Sequence, residues 1–428
     1  MITTRIMEQN IMTPFSNGFA RPMALSLLAA SVVLSGCGND SNPRPGTGDD
    51  HDHGGLRGRL VFTNAGSDAH AYVYDLDAGE MLPDLHLDYP AHSLYASPGK
   101  RFAVITQRDT GANPNQVQFV DAGLFAHGDH IDAANPSLVS LTLSGETPAH
   151  YRTVEDQAAL FFDGATASNR FVLFTDASLE AASIMAADSS LAAHHGIAEP
   201  RGEFVLTSNA TRDAIEVHEL HGDHFHLEET LAEPCTGLHG GGSLEDFAAF
   251  GCDDGVLVVA QNGATFTASK VATPLRVTQV SGHHALSQFA TFATGNQVMY
   301  AVDPVAGTQQ EIDWSNGAGA TRSQHQIDAH GEHLLVLDTT GTLHVLEADD
   351  WSYKGSVAVL GNVTGAQITT SGTEDIAYIT DPANEAILAV DLETVTLLDD
   401  ERIEPGFAPV GLAWTGVVEA GDEHDHAH

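Results

Sequence analysis

The chain has 428 residues, 42% of them apolar, and 58 acidic against 17 basic side chains give it a formal net charge of −41. That apolar share supports a packed core rather than a disordered chain. The acidity excludes a nucleic-acid surface and an anionic-membrane surface, because both need clustered basic residues.

Read from the start, residues 23–37, MALSLLAASVVLSGC, follow Arg21 and end in Leu-Ser-Gly-Cys. This is the pattern of a bacterial lipoprotein signal, with Cys37 the residue that receives lipid after cleavage. Its apolar part, about a dozen residues, is too short to span a bilayer. Residues 1–37 are therefore expected to direct export, leaving a periplasm-facing chain held to a membrane by its lipid. Residues 38–57 hold too little apolar surface to fold and read as a linker, with His51 and His53 in an Asp/His tract. Residues 417–428 form a matching polar His/Asp tail. In an oxidising compartment the remaining cysteines, Cys235 and Cys252, are expected to pair. The loop they close would contribute about 3 kcal/mol in the chain-entropy picture.

Residues 58–416 alternate short β-type runs with turn signals. RFAVITQ, RFVLFTDAS, GVLVVAQNG and HLLVLDTTG are examples, divided by Asx-Gly and Pro-Gly pairs. The stretch ASLEAASIMAADSSLAAHH has helical propensity where the pattern calls for an outer strand, and both readings stay open. A histidine recurs at His92, His150, His194, His239, His283 and His325, mostly 42–45 residues apart, each before a second apolar run. Repeats of that length with about four strands each predict an all-β chain folded as a β-propeller. Extending the register to Gln367 and Val410 gives eight blade starts, or seven if one weak unit is an insertion. The last start has a single strand left, so the N-terminal strands are expected to complete that blade and close the ring.

First strands line a propeller's channel, so the six recurring histidines are expected to converge at one mouth. Zinc takes about four ligands, so a subset would bind one ion. The doubled pairs add His195 and His284. Glu155, Asp246 and Asp328 are candidates to orient the imidazoles or to ligate directly. The competing reading is that a duplicated ancestral unit carried a purely structural histidine. A second group is the pair of HGDH segments, with His127, His130, His221 and His224 on loops at the rim. A nucleophile elbow, P-loop, dinucleotide fingerprint and HExxH motif are all absent from the sequence.

The exported start, the PAH and AHHG blade starts, the His/Asp linker and the HGDH loops together resemble the AztD-type periplasmic zinc metallochaperones. The resemblance spans most of residues 51–416. It implies a β-propeller that binds Zn²⁺ at its channel and passes it to the solute-binding protein of a zinc ABC transporter, with no catalysis. A monomer is expected. The lipidation signal at Cys37 would depart from a soluble family. Two other readings remain: an interaction scaffold with structural histidines, and a propeller enzyme of lactonase or quinoprotein type. Copper or nickel would suit imidazoles as well.

Overall fold

The computed structural model describes residues 56–108, 114–127, 130–164, 170–192 and 194–418. The expectations for Cys37, His51, His53 and the C-terminal tail lie outside these residues. Nearly all regular structure is antiparallel strand. Among these residues, five four-stranded sheets and one five-stranded sheet hold one ladder each, and one eight-stranded sheet holds two ladders joined by the parallel bridge Ala187–His224. The first strands of the eight ladders are Ser93–Ala96, Pro148–Val154, Ala198–Arg201, His239–Ser243, Val277–Ser281, Arg322–Ile327, Ile368–Thr370 and Pro409–Thr415. They are numbered ladders 1 to 8 in that order.

The second strand of each ladder shows why these runs are strands. Phe102–Gln107 is buried throughout, because successive side chains leave on opposite faces and both faces are covered. Phe102 and Val104 pack with Leu160 and Phe174 of ladder 2. Ala103 and Ile105 pack the other way, with Val61 and Ala413 of ladder 8. The same division recurs around the molecule. Buried clusters join ladders 2 and 3, 3 and 4, 4 through 6, 6 and 7, and 7 and 8. Each ladder is thus packed on the next and the last on the first. The fold is a closed β-propeller.

Closure follows the expected route. Arg59–Asn64 pairs antiparallel with Pro409–Thr415, then with His70–Asp75, so ladder 8 is built from both parts of the chain. Arg59 fastens it to ladder 1, donating to the carbonyls of Ala122 and Ala134 and pairing with Asp75 at 3.0 Å. Arg57 fastens it to ladder 7 through Glu374 at 3.0 Å and to Glu401 at 2.9 Å. Cys235 and Cys252 form the expected disulfide. The ambiguous stretch resolves into a one-turn helix, Asp176–Glu180, capped by Thr175, followed by the short outer strand Ala186–Asp188. Outside the ladders, Leu124–His127 and His130–Ala133 form an added hairpin.

Candidate metal centre

The recurring histidines do not share one height in the channel. His239 opens its strand and sits opposite Gly251, at the far end of the second strand. His325 lies mid-strand opposite Val336, and His283 falls beyond the end of Val277–Ser281. The cause is the turn between first and second strands. It spans three residues in ladder 4 (244–246) and seven in ladder 5 (282–288). Sequence spacing therefore counted repeats while the strands slid beneath it.

What the fold brings together is His150, His195 and His239, from ladders 2, 3 and 4. One ligand nitrogen of each lies within 4.8 Å of the others. His150 Nε2 and His195 Nε2 are 3.2 Å apart. A tetrahedral zinc with Zn–N of ~2.0–2.1 Å has ligand–ligand edges of roughly 3.3–3.4 Å, so this spacing, which also suits an N–H···N hydrogen bond, is compatible with two ligands on one ion. Between the three rings is a void of about 10 Å³, lined also by Gly196, Ile197, Leu238 and Gly240.

Two of the rings are oriented by their second nitrogen. His195 Nδ1 donates to Asp163 Oδ2 at 2.6 Å, and His239 Nδ1 donates to the Thr278 carbonyl at 2.9 Å. Each contact puts the proton on Nδ1 and leaves the Nε2 lone pair facing its neighbours. Burial holds the His150 imidazolium down to about 3, with the Arg152 and His195 charges adding to it. Burial also lowers His239, against the opposing pull of the Thr278 carbonyl. Both rings are therefore neutral near pH 7, the form a metal needs.

Local backbone sets these positions. Gly240 has φ +73°, and a Cβ there would come 2.8 Å from the Thr278 oxygen. Its left-handed conformation makes the bulge between His239 and Gly241 and lets the ladder 5 backbone close on the imidazole. Gly196 clears space beside the doubled pair, since a Cβ would strike Phe161 and the His194 ring.

The other expected positions lie elsewhere. In the doubled pair it is His195 that joins the cluster. His194 Nδ1 faces the Ala192 carbonyl at 2.8 Å, its Nε2 faces the Ser208 carbonyl at 2.9 Å, and its ring abuts Phe161. His92 is exposed, its backbone N–H on the Thr106 carbonyl. His283, His284 and His325 line a separate cavity of about 820 Å³, reached by the later residues of the first strands. There Arg322 donates to His325 Nδ1 at 3.0 Å and Ser281 Oγ meets Nε2 at 2.9 Å, so both nitrogens are engaged. Of the expected carboxylates, Asp328 caps a turn and receives His333 Nδ1 at 2.8 Å, Asp246 is exposed, and Glu155 lines the large cavity. Asp163 takes the orienting part instead, and no spacing in the sequence marked it.

The paired histidines of the HGDH segments stand at the ends of antiparallel strands. His127 and His130 are cross-strand partners in the added hairpin, and His130 lies 3.5 Å from Asp132. His221 and His224 pair across the turn of ladder 3's outer hairpin. Alternation places Glu219 and His221 on the same face as His224, His226 and Glu228, opposite Leu220 and the buried Phe225. Ligand atoms of Glu219, His221 and Glu228 lie within 4.8 Å of one another, and His224 Nε2 is 3.0 Å from His226 Nε2. His226, which continues the second HGDH segment two residues on, stands on this face opposite Glu219.

Fold and site together define a histidine-bearing β-propeller. No protein-family model matches the chain. It is 23% identical over 379 residues to the zinc chaperone AztD of Citrobacter koseri, covering 83% of this chain and 86% of that protein. The solved structure of apo AztD from the same organism superposes with a TM-score of 0.69 at 20% identity, over 83% of this chain and 96% of that one. The dihydro-heme d1 dehydrogenase NirN, in complex with DHE, shares the fold more distantly, with a TM-score of 0.57, 12% identity, and 83% and 75% coverage. The chain is thus similar to AztD in sequence and in fold, the resemblance that its sequence suggested.

Proposed function

We propose that the chain is a zinc metallochaperone that holds Zn²⁺ at His150, His195 and His239 and passes it to the solute-binding protein of a zinc ABC transporter. The observation that carries this reading is the convergence of three imidazoles from three ladders, one oriented by a carboxylate and one by a backbone carbonyl. Three protein ligands leave a fourth coordination position for water or for an incoming ligand. An entering imidazole or carboxylate of the receiving protein would occupy it, and the three histidines would then release stepwise. The ion is never set free in that exchange. The exposed Glu/His face of ladder 3's outer hairpin would gather ions at the surface. The signal at residues 23–37 would place the protein in the periplasm, tethered through Cys37.

The test is metal analysis of the purified chain beside a His150→Ala/His195→Ala/His239→Ala variant, followed by mixing the loaded protein with an apo solute-binding protein. Tight zinc should be lost in the variant, and the wild type should deliver its ion in the presence of a chelator that captures free zinc. Unchanged affinity in the variant would refute the site. Delivery that the chelator abolishes would refute direct transfer.

A further inference from the structure

The closing ladder carries a further constellation of metal donors, apart from the channel triad and from the Glu/His face of ladder 3. His70 begins the strand His70–Asp75 and His86 ends the strand Leu85–His86, and the two are direct cross-strand partners. Partners in register project to the same face of a sheet. Their rings lie 4.9 Å apart, with His70 Nε2 3.3 Å from His86 Nδ1. Asp84 Oδ2 stands 3.6 Å from the same His70 nitrogen.

His70 is held as His195 is held in the channel. Its Nδ1 meets Asp68 Oδ1 at 2.5 Å, and Asp68 is fixed in turn by the Tyr72 hydroxyl at 2.7 Å and the Asn64 amide at 3.2 Å. A carboxylate on Nδ1 sets the tautomer and directs the other lone pair outward. The Nε2–Nδ1 separation again matches the roughly 3.3–3.4 Å edge of a tetrahedral zinc site. The site is reachable, since the His70 and Asp84 side chains are 31% and 57% exposed.

We propose that His70, His86 and Asp84 bind a second zinc-class divalent cation, with Asp68 orienting His70. The ion would tie the strand His70–Asp75 to the segment that leads into ladder 1, and so would brace the ladder that closes the ring. This site is independent of the channel triad and does not rest on the chaperone reading.

Zinc bound by the purified full chain, counted by native mass spectrometry, tests the assignment. His70→Ala with His86→Ala should remove one equivalent and leave the equivalent that depends on His150, His195 and His239. Cobalt substitution should show the matching loss of a tetrahedral absorption component. Asp84→Asn, at an exposed position that does not threaten folding, should weaken the same equivalent by about tenfold or more. An unchanged zinc count in the double variant overturns the proposal, and so does unchanged affinity in Asp84→Asn, which decides the matter if the double variant fails to fold. In that event the two imidazoles share a plain N–H···N hydrogen bond.

Discussion

At the scale of single residues, the channel triad depends on groups that never touch the ion. Asp163 lies beyond the second strand of ladder 2, yet its carboxylate fixes which nitrogen of His195 is protonated. Asp163→Asn keeps the size but weakens the acceptor. Zinc affinity is expected to fall by roughly 10–100-fold, as is usual when such a partner is lost. Competition with a chromogenic chelator would measure this, and an unaltered Kd would show that His195 needs no such support. Residues of this kind were the least legible in the sequence. A histidine stands out by its chemistry and recurrence, whereas Asp163 in FFDG looks like any Asx-Gly turn.

At the scale of elements, the first strand of ladder 4 is the part most finely adjusted. Its sequence, HGGGS, trades side chains for close approach: a Cβ at Gly251, opposite His239, would lie 2.6 Å from both the His239 and Val277 carbonyls. The disulfide reinforces this packing, because Cys252 follows Gly251 and Cys235 precedes His239 by four residues. Replacing both cysteines by alanine is expected to cost about 2–5 kcal/mol. Denaturant titration would report the loss, and zinc affinity should weaken with it because His239 loses its anchored neighbour. A stable variant with native affinity would leave the disulfide without this part. The element scale also explains what sequence reading achieved. Largely apolar second strands such as FAVIT and HLLVL declared the repeat, and the single strand after Phe407 declared the closure. Heights along the channel were hidden, because turn length between first and second strands varies without any mark in the hydrophobic pattern. His283 and His325 were placed beside His239 for that reason and lie elsewhere.

At the scale of the whole molecule, histidines drawn from three ladders make stability depend on pH. His150 and His325 titrate at about 3 and His283 at about 4, each pushed down chiefly by burial. Unfolded histidine titrates near ~6.5. The folded state therefore binds fewer protons, so stability from these groups is present above about 6.5 and is lost as pH falls through the folded values. The urea midpoint of the metal-free chain should drop between pH 7 and pH 5, and His325→Gln should flatten that slope. A midpoint equal at both pH values would show that the rings are protonated within the fold. Acid and zinc act in opposition here, since a bound ion favours the neutral rings that protons would convert.

The ladder shared by Arg59–Asn64 and Pro409–Thr415 has a consequence for how the molecule comes into being. Its halves are separated by almost the whole polypeptide, so the ring cannot lock until the final strand has arrived. Until then two neighbouring sheets present unpaired edges, an invitation to mispairing with other chains. Such long-range pairing is also slow, because the loop it closes is the protein itself. A chain cut short just before Pro409 would keep every histidine of the channel triad and still lack the seam that holds their three ladders in one circle. The last strand acts as a latch, and metal competence is expected to appear only when it engages.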